Sequence, residues 1–153
     1  MYKWCLEIDA QSSSIWSDNA AKWGPKYAID GLLSHTSTQF FHSRPEDNPW
    51  LQLSFSQTTI LTGVVITNRL DGHGERLKDV IVRAGLRPLD RSFRGIIKIN
   101  DKCGMFEGPG ETDKLHTINC SSPITAKYVT VQSVGNDAIL QINELDILSG
   151  NRK

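Results

Sequence analysis

The feature that most constrains the fold is a series of short segments with strand-like patterns. In residues 50–55, Leu51, Leu53 and Phe55 alternate with the other side chains. They therefore fall on one face of an extended chain, as in a half-buried strand. Further short segments, mostly rich in Val, Ile and Thr, read as strands at 60–67, 79–85, 95–100, 127–133 and 139–148.

Gly, Pro, Asn and Asp residues concentrate between these segments, where they favour turns. Amphipathic helical patterns are almost absent, and one helical turn is expected, capped by Ser17 or Asp18 and ending near Gly24–Pro25. The sequence therefore predicts an all-β fold, an antiparallel β-sandwich of the jelly-roll type, with an open barrel as the alternative. Residues 32–49 form a long irregular excursion, and such loops are often functional.

The size of the chain predicts one domain, residues 1–153, with a core at about 10–148. Apolar residues make up 39% and charged residues 22%, as in a globular protein. Seventeen basic residues balance seventeen acidic ones, which argues against nucleic acid as a partner. No apolar stretch reaches the roughly 18 residues that a membrane span needs.

The three cysteines are Cys5, Cys103 and Cys120. A bridge between the last two would close a loop of about 18 residues and stabilise the fold by roughly 3 kcal/mol. The alternative is two free thiols in a reducing compartment. Cys5 is expected to be free or to pair outside this chain.

No enzyme signature is present: there is no nucleophile elbow, His-Glu-x-x-His motif or phosphate loop, so we expect a non-enzymatic protein. The polar groups that stand out are donors, namely His42, Arg69 and Arg76. Together they suit a ligand rich in hydroxyl oxygens, or an anion. Asp71 and Glu75 offset the positive charge, which favours a neutral ligand. The alternative is a charged surface turn whose arginines pair with its own carboxylates.

The spacing of these residues resembles a family signature. Twenty-six residues separate His42 from Arg69, Asp71 follows two positions on, and four residues separate it from Arg76. With the surrounding "YAIDG", "NPWLQLSF" and "ITNRLDGHGERL", the chain looks like the fucose-binding F-type lectins of the discoidin, or coagulation factor 5/8 type C, superfamily. The similarity covers roughly residues 10–148, nearly the whole chain.

The resemblance implies that His42, Arg69 and Arg76 reach the ring oxygen and adjacent hydroxyls of α-L-fucose. Asp71 would organise the turn. Many family members supply an apolar wall from two adjacent bonded cysteines, at positions that are Gly72 and His73 here.

The replacement of those cysteines leaves the apolar wall to other residues. We expect His73 to stack on the sugar and Phe41 to contribute a wall, with Phe40 and Trp23 as further candidates.

The resemblance also implies a structural calcium ion and the Cys103–Cys120 bridge. Asp30 and Glu144 match the family's acidic ligands, while Tyr27, Leu32 and Asn143 are expected to complete the site, largely through carbonyl oxygens. Calcium takes six to eight oxygen ligands, so residues 32–38 would have to supply more of them. Alternatively, Asp30 is a turn residue and Glu144 a hydrogen-bonded strand residue.

The expected function is a lectin domain for terminal fucose on extracellular glycans or glycoproteins, without contact to nucleic acid. The domain would contact membranes only through the glycans on them. An oligomer or a multidomain protein would supply avidity. An extracellular location follows from the resemblance and the expected bridge.

Three other functions compete with this expectation. They are a discoidin-type module for anionic lipid or a protein partner, an appended carbohydrate-binding domain of a glycosidase, and an intracellular scaffold, for example for DNA ends.

Overall fold

The computed structural model describes residues 6–150, and these residues form a fold of strands and turns with little helix. The strands are β1 (Ile8–Ser12), β2 (Phe41–His42), β3 (Trp50–Thr67), β4 (Val80–Gly85), β5 (Asp101–Phe106), β6 (Leu115–Ser133), β7 (Gln141–Ile142) and β8 (Glu144–Ser149). Helical structure consists of α1 (Ala20–Trp23) and three 3₁₀ segments, Trp16–Asp18, Pro25–Ile29 and Gly74–Arg76.

All strand pairs are antiparallel, and two long strands connect the parts of the sandwich. The main order is β1-β3-β6-β4-β5, with β8 also paired to β3. The register between β3 and β6 shifts between Ser54 and Thr59. The first part of β3 therefore lies between β1 and β6, and the second part lies between β6 and β8. The predicted all-β antiparallel sandwich is confirmed.

The core forms where the inward faces of these strands meet. Leu51, Leu53 and Phe55 are at most 2% exposed, as their alternation predicted. They share one cluster with Leu61 and Val64 from the second part of β3. Burial of each such side chain contributes about 1.5–3 kcal/mol.

The predicted strand at 95–100 is wrong, because this segment is irregular and β5 begins only at Asp101. Without a partner strand, the segment buries Ile97 and part of Ile99, whereas Ile96 is exposed. Ile97 packs with Trp50 and Leu89 in a second, small core. Its backbone N–H donates to the side-chain oxygen of Gln132 at 2.9 Å, so a side chain replaces the strand ladder.

Other boundaries also differ from the pattern. The segments predicted at 50–55 and 60–67 form one strand, and the segment at 139–148 divides into β7 and β8. The cap of α1 is Asn19, whose side chain accepts from Lys22 N, rather than Ser17 or Asp18. Those two residues have φ values of 55° and 53°, in the left-handed region.

The Cys103–Cys120 bridge is present. It joins β5 to β6, two strands that are not hydrogen-bonded neighbours. The bridge therefore adds a covalent link where the sheet provides none. Cys5 lies outside the described residues.

Candidate functional site

The donors predicted from the sequence meet at one end of the sandwich. His42 ends β2, Arg69 follows β3 by two residues, and Arg76 ends the 3₁₀ segment Gly74–Arg76. All three line one cavity of about 290 Å³, together with Trp16, Trp23, Ser37 and His73. Residues far apart in the sequence thus present their polar groups to one space.

The turn between the two arginines is held by side-chain hydrogen bonds from buried Asn68. Its Nδ2 donates to the carbonyl oxygens of Gly74 at 2.9 Å and Glu111 at 3.0 Å. Its Oδ1 accepts from the backbone N–H of Arg69 at 2.9 Å. The side-chain amide of Asn68 therefore links the start of the turn to Gly74, at the other side of the turn, and to Glu111 in a neighbouring loop.

Gly74 completes this fixation because no side chain fits at its position. Its N–H donates to Thr112 Oγ1 at 2.8 Å. A Cβ atom here would lie 2.2 Å from the backbone nitrogen of Thr112, far inside van der Waals contact. The close approach of the two loops thus sets where Arg76, two residues later, leaves the backbone.

The guanidinium group of Arg69 is held along one edge by a carboxylate and on its flat face by an aromatic ring. Its Nε donates to Asp71 Oδ1 at 2.5 Å and its Nη2 to Asp71 Oδ2 at 3.2 Å, a bidentate pair. These hydrogen bonds lower the pKa of Asp71, so the carboxylate stays charged. The ring of Phe40 lies 4.9 Å from Arg69 Cζ, a cation–π distance.

Arg76 contacts the side chain of Gln141 on β7, which Arg69 contacts as well. The Gln141 amide atom that faces the arginines lies 2.8 Å from Arg76 Nη1 and 3.0 Å from Arg69 Nη1. Guanidinium nitrogens can only donate, so this atom is the oxygen. The opposite orientation would give a hydrogen bond to His42 alone and would set an NH₂ group against both arginines.

His42 is a buried, neutral imidazole. Its Nδ1 lies 2.7 Å from the carbonyl oxygen of Ser43, and its Nε2 lies 2.8 Å from the Gln141 oxygen. Burial lowers its pKa to about 4, and Arg69, Arg76 and His73 add to this, while the Ser43 carbonyl opposes it. At neutral pH the imidazole has a single N–H group, so it can donate to only one of these two oxygens.

Aromatic side chains form the apolar part of the cavity. The ring centroid of Trp16 lies 4.7 Å from that of His42, and that of Trp23 lies 6.4 Å away. Trp23 Nε1 donates to the Ser37 carbonyl at 2.8 Å. Phe41, expected as a wall, instead points into the main core and is fully buried.

Several residues of the site were missed by the sequence analysis. Trp16 lies 26 positions before His42, and Gln141 comes 99 positions after it. Only the pairing of β2 with β7, which puts Gln141 opposite His42, brings the glutamine into the site. An isolated polar residue within an apolar strand segment was the available signal.

Two carboxylates form a second cluster next to this cavity. Glu144 Oε2 accepts from Gly31 N at 3.0 Å, whereas its buried Oε1 has no hydrogen-bond partner among the described residues. Burial raises the pKa of Glu144 to about 8, and the nearby carboxylates of Asp30 and Asp146 raise it further. An unpartnered buried oxygen beside a second acid suits a hard cation.

The remaining predicted metal residues lie around this pair. Tyr27, Asp30 and Leu32 line a cavity of about 110 Å³ with Ser34. The Asn143 amide accepts from Ser34 N at 2.9 Å and donates to Ser34 O at 2.8 Å, which fixes the loop. Between residues 6 and 150 no group of three His, Cys, Asp or Glu side chains is placed to hold a metal. A cation here would need backbone carbonyls.

These observations define a β-sandwich of discoidin type with a donor-lined pocket at one end. A family model described as F5/8 type C domain matches residues 7–145, and the chain belongs to this family. Fucolectin-1 of Anguilla japonica is 32% identical over 127 residues, which cover 80% of this chain and 66% of that protein. Fucolectin of Anguilla anguilla is 28% identical over 78% of this chain and 73% of its own length. The chain thus spans about two thirds of the first of these relatives.

Solved structures show the same fold. A fucolectin from striped bass (Morone saxatilis) serum superposes with a TM-score of 0.79 at 24% identity, over 95% of this chain and 47% of that one. The lectin domain of lectinolysin, solved with Lewis B antigen, superposes with a TM-score of 0.68 at 20% identity, over 93% and 92% of the two chains. Within residues 6–150, no helix has the length and apolarity to cross a membrane.

The lowered pKa of His42 makes the stability of the protein depend on pH. Between pH 6.5 and about 4, the unfolded state binds a proton at His42 that the folded state excludes, so acid favours unfolding. We expect this contribution to lower the free energy of unfolding by on the order of 2 kcal/mol between pH 7 and pH 5. Denaturant titrations at both pH values should show a smaller decrease in His42→Gln.

His35→Gln provides the matched control, because His35 is exposed. This control should keep the pH dependence of the wild-type protein. An unchanged pH dependence in His42→Gln would contradict the assignment of a neutral buried imidazole.

Proposed function

We propose that this chain is a non-enzymatic lectin domain that binds terminal α-L-fucose. The observation that carries the proposal is the convergence of His42, Arg69 and Arg76 on one cavity with tryptophan walls. Relatives bear the name fucolectin, and one structural neighbour was solved with a Lewis antigen. The fold alone would imply only a binding module.

The polar groups of the cavity suit hydroxyls better than an anion. A hydroxyl both donates and accepts, so its oxygen can accept from an arginine while its own proton bonds to another acceptor. A carboxylate or phosphate oxygen could satisfy the arginines but not a second acceptor. Asp71 already offsets one positive charge, which further favours a neutral sugar.

The apolar part of the sugar would face the two tryptophans. Fucose carries a methyl group and C–H faces that gain from burial against an aromatic ring. Trp16 and Trp23 stand beside His42. They would take the place of the paired cysteines that many family members have, while His73 would close the rim.

The size of the ligand limits the affinity. A sugar of about eleven heavy atoms at roughly 0.4 kcal/mol each gains about 4–5 kcal/mol, which corresponds to near-millimolar binding. Several copies of the domain, in an oligomer or a longer chain, would raise the avidity on a glycoprotein or cell surface. The bridge and a serum relative support an extracellular location.

A calcium ion fits the cluster beside the cavity. Asp30 and Glu144 would supply carboxylate oxygens, and Tyr27, Leu32 and Asn143 would supply carbonyls. The ion's charge would stabilise both carboxylates, including the unpartnered Oε1 of Glu144. Residues 32–39 contribute to both sites, since Ser34 and Gln39 line the metal cavity and Ser37 lines the sugar cavity.

Removal of Arg76 tests the sugar site. Arg76→Ala should weaken binding of methyl α-L-fucoside at least about tenfold, because hydrogen bonds to a charged donor contribute roughly 1.5–3 kcal/mol. Two-dimensional NMR titration measures the effect at millimolar affinity. Arg91→Ala, an exposed arginine elsewhere on the surface, should bind as the wild-type protein does. Unchanged binding in Arg76→Ala would disprove the site.

Calcium is tested through stability. Excess calcium should raise the unfolding temperature by several degrees over chelator, since a ligand at 100 times its Kd stabilises by about 2.7 kcal/mol. Glu144→Gln should lose most of this difference. Equal unfolding temperatures of the wild-type protein in calcium and chelator would rule out the ion.

The discoidin-type lipid module is the second candidate, because Leu32 and Leu33 are 69% and 52% exposed. Phe40 and Phe41, the neighbouring apolar pair in the sequence, are fully buried, which weakens this function. Phosphatidylserine vesicles should therefore not carry the protein upward in flotation. Flotation that is lost when both leucines become serine would favour the lipid module.

A further inference from the structure

The side chain of Gln141 contacts the residues proposed to bind the sugar, although Gln141 is not one of them. It is 2% exposed, yet it is polar and lies between the buried Leu140 and Ile142. Antiparallel pairing of β2 with β7 puts it opposite His42, so both side chains emerge on the same face. Its amide thus contacts side chains that line the cavity without lining the cavity itself.

One atom of this amide links the two arginines. The oxygen accepts from Arg76 Nη1 at 2.8 Å, from Arg69 Nη1 at 3.0 Å and from His42 Nε2 at 2.8 Å. Two guanidinium groups held this close repel each other, and a shared acceptor between them opposes the repulsion. Because each arginine uses one nitrogen on Gln141, its other N–H groups take a defined direction.

The two arginines depend on Gln141 to different degrees. Arg69 is also held by the bidentate pair with Asp71 and by the ring of Phe40. For the Arg76 guanidinium, the Gln141 oxygen is the one hydrogen-bond acceptor found among residues 6–150. Loss of this oxygen would therefore free Arg76 more than Arg69.

We propose that Gln141 is a positioning residue of the sugar site, whose side-chain oxygen fixes Arg76 beside Arg69 before the ligand arrives. This inference rests on the proposed fucose site and adds a residue that acts through the arginines. Preorganisation of this kind raises affinity because the ligand no longer has to order the donor.

Substitution of Gln141 by Met and by Glu separates this role from packing. Methionine keeps the length of the side chain but removes the acceptor, whereas glutamate keeps an oxygen at the same reach. We expect Gln141→Met to weaken binding of methyl α-L-fucoside about tenfold or more in the NMR titration. Gln141→Glu should stay within about threefold of the wild-type protein, because its carboxylate still accepts from both arginines.

Gln52→Met is the matched control. Gln52 is 5% exposed, and its amide accepts from Leu89 N and donates to Leu89 O, away from the cavity. This variant should lose stability but keep the affinity for fucoside. A loss of affinity equal to that of Gln141→Met would show a general effect of removing a buried amide and would overturn the proposal.

The remaining outcomes are distinct. Unchanged binding in Gln141→Met, or an equal loss in the Met and Glu variants at similar unfolding temperatures, would overturn the role of the oxygen. Absence of fucoside binding by the wild-type protein would instead refute the proposed function.

A measurement on the unliganded wild-type protein covers the case in which Gln141→Met does not fold. Nitrogen-15 NMR of the arginine side chains should show slow rotation about the Cζ–Nη bonds of Arg76, as a held guanidinium requires. Rotation as fast as that of exposed Arg91 would overturn the proposal.

Discussion

Two guanidinium groups share one pocket, and the structure around them holds like charges together. Asp71 neutralises Arg69, and the Phe40 ring supports its face. Arg76 has no such carboxylate among the described residues, so its position depends on the backbone turn and on Gln141. His42 stays neutral beside them, because burial and both arginines disfavour a third positive charge. The site is therefore rich in donors without being an unshielded cationic patch.

The sandwich provides the fixed ends that this arrangement needs. Arg69 lies two residues after the end of β3, one of the two strands that link the parts of the sandwich, so its backbone is anchored near the core. Asn68 and Gly74 then tie the turn to residues 111–112. Loops carry the recognition groups and strands fix where the loops begin, which is a common division of labour in binding domains.

The sequence was sufficient for the parts of this account that depend on local pattern. Alternation at 50–55 predicted the inward face of β3, and the signature spacing brought His42, Arg69 and Arg76 together as candidates. It could not place Gln141 or Trp16, because their roles arise from strand pairing and loop packing between distant segments. The error at 95–100 has the same origin, since apolar content there reflects contact with Trp50 and Leu89 rather than a strand partner. Phe41 was misjudged because the face on which it points is set by its pairing with Ile142.

A crystal structure with methyl α-L-fucoside is the most direct test of the central claim, that three donors from separate loops bind one sugar. The account predicts the sugar between His42, Arg69 and Arg76, with sugar oxygens in contact with all three side chains and the methyl group against Trp16 or Trp23. Little movement of the two arginines is expected, because both are already held in the free protein. A sugar bound elsewhere on the surface, or one that leaves these three side chains without contact, would contradict it.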